Sequence, residues 1–158
     1  MITKAAAGIQ EKLRRVRAFL EATGRDALII GRRDNFAWLT AGGDNSVVRS
    51  SELGFSLLVI TKDTVFHVAQ CMDGPRILDE ELADVDVQPE FLRWYEKGRE
   101  KRAAELVKGL RTISDVPVEG AECLPGLIAR LHYPLTAQEI ERCRFIGRKT
   151  EERSEERR

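Results

Sequence analysis

A chain of 158 residues with 42% hydrophobic side chains suits one ordinary domain, enough for a single core and too little for two large ones. Its 26 basic and 26 acidic side chains cancel, which removes the overall field that would draw in a nucleic acid or an anionic membrane. Cys71, Cys123 and Cys143 are odd in number and widely spaced, which fits reduced thiols rather than a disulfide framework or a zinc site, and Met1 to Gln10 lacks a signal-peptide pattern, so a cytoplasmic protein with no membrane span is expected.

Ile9, Leu13, Val16 and Leu20 recur at helical spacing, and Lys12, Arg14, Arg15 and Arg17 are assigned to the opposite, solvated face. Gly24 is a natural stop for this helix. Ala27 to Ile30 is apolar on both faces, as a central strand covered on each side would be. A polar turn at Gly31 to Asp34 leads into a short aromatic segment, Asn35-Phe36-Ala37-Trp38-Leu39, and then the Gly42-Gly43 loop. Phe55 to Thr61 and Thr64 to Ala69, joined by Lys62-Asp63, read as an antiparallel hairpin. His67 alternates with Phe66 and Val68 and is expected to be a partly exposed strand residue.

Asp73 is positioned to cap a helix with Pro75 in its first turn, running to Leu82, and Val85 and Val87 alternate as a short strand. A longer helix is expected from about Phe91 to Leu110. Its aromatics Trp94 and Tyr95 lie near many bases, but Glu96, Glu100 and Glu105 interleave with those bases as a salt-bridged surface, so no nucleic-acid partner is expected. Ile113 to Glu119 reads as a last strand, and Pro117 places it at an edge or a strand end. Leu124 to Leu131 reads as a short helix. Thr136 and Glu139 form a capping box that opens a helix from Ile140 to Thr150. The run from Lys149 to Arg158 has no aliphatic anchor and is either a linker helix or a solvated tail. The order is α/β: a mixed, mainly parallel sheet with one antiparallel hairpin and helices on both faces.

Chemistry-bearing motifs are scarce. His67 and His132 have no ligand spacing, Gly42-Gly43 is not a dinucleotide fingerprint, Gly147-Arg148-Lys149-Thr150 is not a phosphate loop, and there is no nucleophile elbow. Asp73, Asp79 and Glu80 read as a solvated helix start far more readily than as a metal site.

The strand Asp26-Ala27-Leu28-Ile29-Ile30, followed by Asn35-Phe36-Ala37-Trp38-Leu39-Thr40-Ala41-Gly42-Gly43, resembles the amino-terminal domain of the creatinase, prolidase and Xaa-Pro aminopeptidase family. Ala41 stands where that family usually has Gly. Glu139-Ile140 and Arg144 fit the pattern of the family's interdomain helix, and Cys71 to Leu82 resembles a further family segment with Asp73 where Glu is common. The resemblance covers roughly residues 9 to 150 and implies a creatinase/prolidase amino-terminal fold, with its ribonuclease H-like motif, over residues 1–135, and a linker helix over 136–158 toward an absent catalytic domain.

The family's reaction uses two divalent metal ions, commonly manganese or cobalt, which polarise a carbonyl and supply hydroxide. Their ligands lie in the second domain, so the resemblance implies no metal ligand, cofactor or catalytic residue in this chain. It implies instead a noncatalytic part in a homodimeric, proline-specific peptidase, or in a creatinase-like enzyme, serving assembly and access for short peptides. Asn35, Trp38 and Arg49 are the substrate-access candidates. Beside that stand simpler readings: Phe36 and Leu39 pack the short helix, Asn35 caps it, and Trp38 packs as readily as it lines an opening. A free-standing binding or assembly module without peptidase activity is the alternative, and a nucleotide-binding domain lacks its phosphate loop.

Overall fold

A computed structural model describes residues 4–96 and 98–155, with the side chains of Lys4 and Ala5 left aside. The elements follow in chain order: α1 (Lys4–Ala22), β1 (Ala27–Arg32), α2 (Arg33–Leu39), β2 (Leu53–Thr61), β3 (Val65–Gln70), α3 (Gly74–Arg76) running into a π turn at Ile77–Glu81, and β4 (Gln88–Leu92). Then come α4 (Arg99–Leu106), β5 (Thr112–Ser114), β6 (Ala121–Cys123), α5 (Pro125–Ala129) with a 3-10 turn at Arg130–His132, and α6 (Ala137–Glu155). The strands form one sheet in the order β4-β3-β2-β1-β5-β6. Five run in one direction, and β2 alone is reversed, pairing antiparallel with both β1 and β3.

The period-two alternation of β1 divides the core. Leu28 and Ile30 join Ile9, Leu13, Val16 and Leu20 of α1 together with Phe36, Leu39 and Ile128 on one face. Ala27 and Ile29 join Leu57, Val59 and Val68 beneath Ala103 of α4 and Val107 at its end on the other. This is the expected α/β layering. Gly31 sits at a bulge in β1, where a side-chain carbon would lie 2.7 Å from Leu57 and 2.8 Å from Val116, so the strand needs the missing Cβ there.

Several expectations are corrected. The strand foreseen at Val85 and Val87 begins later, at Gln88, and takes in Phe91 and Leu92. The helix foreseen from Phe91 is therefore confined to Arg99–Leu106, because Gly98 just before it has φ 120°, outside helical backbone; Lys97 lies outside the described residues. The last strand is shorter than foreseen: β5 runs from Thr112 to Ser114 between β1 and β6, so Pro117 follows a strand end, the second of the two expected placements, and does not mark an edge. Asp73 makes no side-chain capping bond. His67 is not partly exposed but fully buried, edge-on to Phe91 with ring centroids 5.7 Å apart. The capping box is present: the Thr136 N–H donates to Glu139 at 2.7 Å, and the Glu139 N–H to Thr136 Oγ1 at 3.2 Å. Of the charged tail, 149–155 continues α6 as an exposed helix, and 156–158 lies outside the described residues.

Candidate functional site

The five parallel strands end together, and loops at that edge of an α/β sheet are where ligand sites arise. β1 delivers Arg32 into α2, and the chain returns to β2 through the loop from Ala41 to Glu52. Between these segments lies a cleft of about 490 Å³ lined by Arg32, Arg33, Asp34, Asp44, Arg49 and Glu52, among others.

Arg33 holds this loop. Its Nη1 donates to the carbonyl oxygens of Arg49 at 2.9 Å and Ser51 at 3.1 Å, and Nη2 lies 3.7 Å from Asp44. Arg32 is neutralised by Asp34 at 3.2 Å and Glu52 at 3.0 Å. Hydrogen bonding from Ser46 holds the Asp44 carboxyl below its ordinary value, so it is ionised near neutral pH. Arg49 is exposed and forms no ion pair within 4 Å among the described residues. The cleft can thus offer a guanidinium to an anionic or carbonyl group. Its lining holds no histidine or cysteine.

The three sequence candidates part company. Asn35 is 3% exposed and does not cap α2, whose cap position is held by Arg32 without a side-chain bond. Its Nδ2 instead donates to Asp115 at 2.7 Å. Trp38 is partly buried and stacks on His132 with centroids 4.8 Å apart. Burial moves the His132 imidazole below its ordinary pKa, so the stack joins two neutral rings near neutral pH. Only Arg49 lies in the cleft.

Two residues that sequence reasoning missed organise this end of the sheet. Asp115, 5% exposed, accepts from the N–H groups of Gly31 at 2.7 Å and Arg32 at 3.2 Å as well as from Asn35, fixing the point where β1 turns into α2. Lys12 is the other, and here the expected solvated face of α1 is corrected. The residue is 1% exposed, its Nζ lies 2.7 Å from Glu139 and donates to the Trp38 carbonyl, and it sits 5.5 Å from the centre of the Trp38 ring. Burial works against ionisation of Glu139, but the bonds from Lys12 and Thr136 outweigh it and hold the carboxyl below its ordinary value.

Ala41 closes α2 with φ 59°, the left-handed region that costs an L-residue about 1–2 kcal/mol. A41G removes that strain but adds unfolded-state freedom, so urea denaturation is expected to show a net gain of about 0.5 kcal/mol. A loss of stability would mean that the alanine methyl makes a contact worth more than the strain.

No family model matches the chain, and no curated protein matches it. Solved structures do. Dipeptidase PepE from Mycobacterium ulcerans superposes with a TM-score of 0.63 at 14% identity, covering 86% of this chain and 39% of that one. The Xaa-Pro dipeptidase from Bacillus anthracis gives 0.59 at 15% identity, covering 84% and 38%. The prolidase from Pyrococcus horikoshii OT3 gives 0.56 at 14%, covering 83% and 37%. This chain therefore has the fold of one portion of these enzymes and spans about two fifths of their length.

Proposed function

We propose that the chain is the noncatalytic amino-terminal domain of a Xaa-Pro dipeptidase- or aminopeptidase-like metallohydrolase. In this reading it assembles a homodimer, and its cleft narrows access to a neighbouring active site so that short peptides enter. The two divalent ions, manganese or cobalt, belong to a catalytic domain outside these residues, and the domain itself contributes binding rather than bond cleavage. The observation that carries the reading is the arginine-lined cleft where β1 turns into α2, in a fold shared with one prolidase and two dipeptidases. The fold alone would not carry it, since one fold hosts many activities.

Reading the coding frame past Arg158 tests the domain assignment. Continuation into a segment with two Asp, one His and two Glu ligands supports it, and a stop codon there favours the free-standing binding module. In the completed enzyme, Arg49→Ala is expected to raise KM for short peptides roughly 5- to 10-fold with kcat nearly unchanged, as loss of a uniform binding contact does. Equal KM values for the two proteins would remove Arg49 from substrate access. Trp38 is the poorer probe, because its truncation also empties the space against His132.

A further inference from the structure

The last turn of a helix leaves backbone carbonyls without intrahelical partners, and cations are drawn to that end of the macrodipole. At the end of α2 and just past it, two carbonyl oxygens accept from side chains elsewhere, that of Trp38 in addition to its bond from the Ala41 N–H. Lys12 donates to the Trp38 carbonyl, and Arg142 Nη1 donates to the Ala41 carbonyl at 2.7 Å. Lys12 in turn pairs with Glu139. Glu139 and Arg142 are three residues apart on α6, so they share one face of it.

The same helix is otherwise loosely held. It buries no residue, and every described position from Ile140 to Glu155 is exposed. Its start is held against α1 by the Glu139–Lys12 pair and by Gln138 beside Gly8, and Arg142 ties it to the Ala41 carbonyl just past α2. Directly beyond the second link the backbone passes through Ala41, in its left-handed conformation, to Gly42, Gly43 and Asp44, which line the cleft. Each of their backbone N–H groups donates one bond: Gly42 to the Ala37 carbonyl at 2.8 Å, Gly43 to Thr40 Oγ1 at 3.0 Å, and Asp44 to Glu81 at 2.9 Å, the Asp44 carboxyl being held besides by Ser46 and Arg33.

We propose that α6 is a lever on the cleft: its docking through Glu139 and Arg142 sets the conformation of the Trp38–Asp44 turn, so that displacement of the helix reshapes the cleft wall. The inference concerns this chain alone and does not rest on the peptidase reading. For such coupling, both sites must bias one shared element, and the turn at the end of α2 is that element.

Amide hydrogen exchange on the intact chain tests it. Arg142→Met removes one link from an exposed side chain and is not expected to unfold the protein, and Glu139→Gln weakens the other. Either substitution is expected to speed exchange at Gly42, Gly43 and Asp44 about tenfold while Ile29 and Val59 in the sheet keep their rates. Unchanged rates at the turn, or an equal acceleration in the sheet, would overturn the proposal.

Discussion

Asp115→Ala is expected to lower the unfolding free energy by about 3 kcal/mol, read from urea denaturation near neutral pH. The carboxylate accepts from two backbone N–H groups and from the Asn35 amide, all in a buried corner. Each donor left without a partner there costs about 1–3 kcal/mol. Part of that loss is offset, because burial disfavours the ionised carboxyl and pushes its pKa up, against the bonds from Gly31, Asn35 and Arg32. The native state therefore holds this proton more tightly than the unfolded chain, and the group's contribution falls as pH rises above the ordinary aspartate range. Asp115→Asn keeps one acceptor and should recover roughly half of the loss. An unchanged denaturation midpoint in the alanine variant would show that water replaces the carboxylate at no cost.

Acidification is expected to produce the second large effect, through His67. Burial pushes its imidazole down to about 4, from an ordinary value of 6.5. Neither ring nitrogen has a partner among the described residues, so nothing stabilises the imidazolium. Between those two values the unfolded chain takes up a proton that the native protein refuses, so stability falls as pH falls through this window. From about pH 7.5 to about pH 5 the loss amounts to about 2 kcal/mol. His67→Leu should abolish that part of the slope, while the slope due to Asp115 remains in both proteins. The leucine variant should be no less stable than the parent at neutral pH, since it exchanges two unpartnered buried nitrogens for carbon. Identical pH profiles for parent and variant would show that His67 finds a hydrogen-bond acceptor when charged.

The features legible in the sequence are those encoded by neighbours along the chain. The stripe of Ile9, Leu13, Val16 and Leu20, the doubly apolar β1, the hairpin around Lys62-Asp63 and the Thr136–Glu139 capping box each carry their signal within a few residues. The misplaced helix after Phe91 is a local error, since Gly98 marked its true start and the charged stretch before it was read as helical surface. Lys12 and Asp115 were illegible for a different reason. Lys12 stands three residues after Ile9 and four before Val16, at the border of the apolar stripe, so its charge alone assigned it to solvent, and nothing near it announces an acid at position 139. Asp115 finds its partners 80 to 84 positions earlier in the chain. A signal did exist for Asp115, an acid directly after the buried Thr112-Ile113-Ser114, but its meaning depended on β5 lying beside β1. Of the substrate-access candidates, Asn35 was conspicuous as a polar residue directly after a turn, and its burial shows that such a residue can serve the fold instead, here by bonding Asp115.

The order of the strands also bears on how the protein behaves at high concentration. A sheet with an open margin can template a strand from another molecule. Here one margin is β4, which carries Pro89 and so lacks an N–H at that position, and the other is β6, only three residues long. Both margins are poor templates, so polymerisation by strand addition is disfavoured at either side. Self-association of the folded chain would have to proceed through side chains instead, and the exposed Phe145 and Ile146 of α6 and Trp94 and Tyr95 after β4 are where surface engineering for solubility should begin.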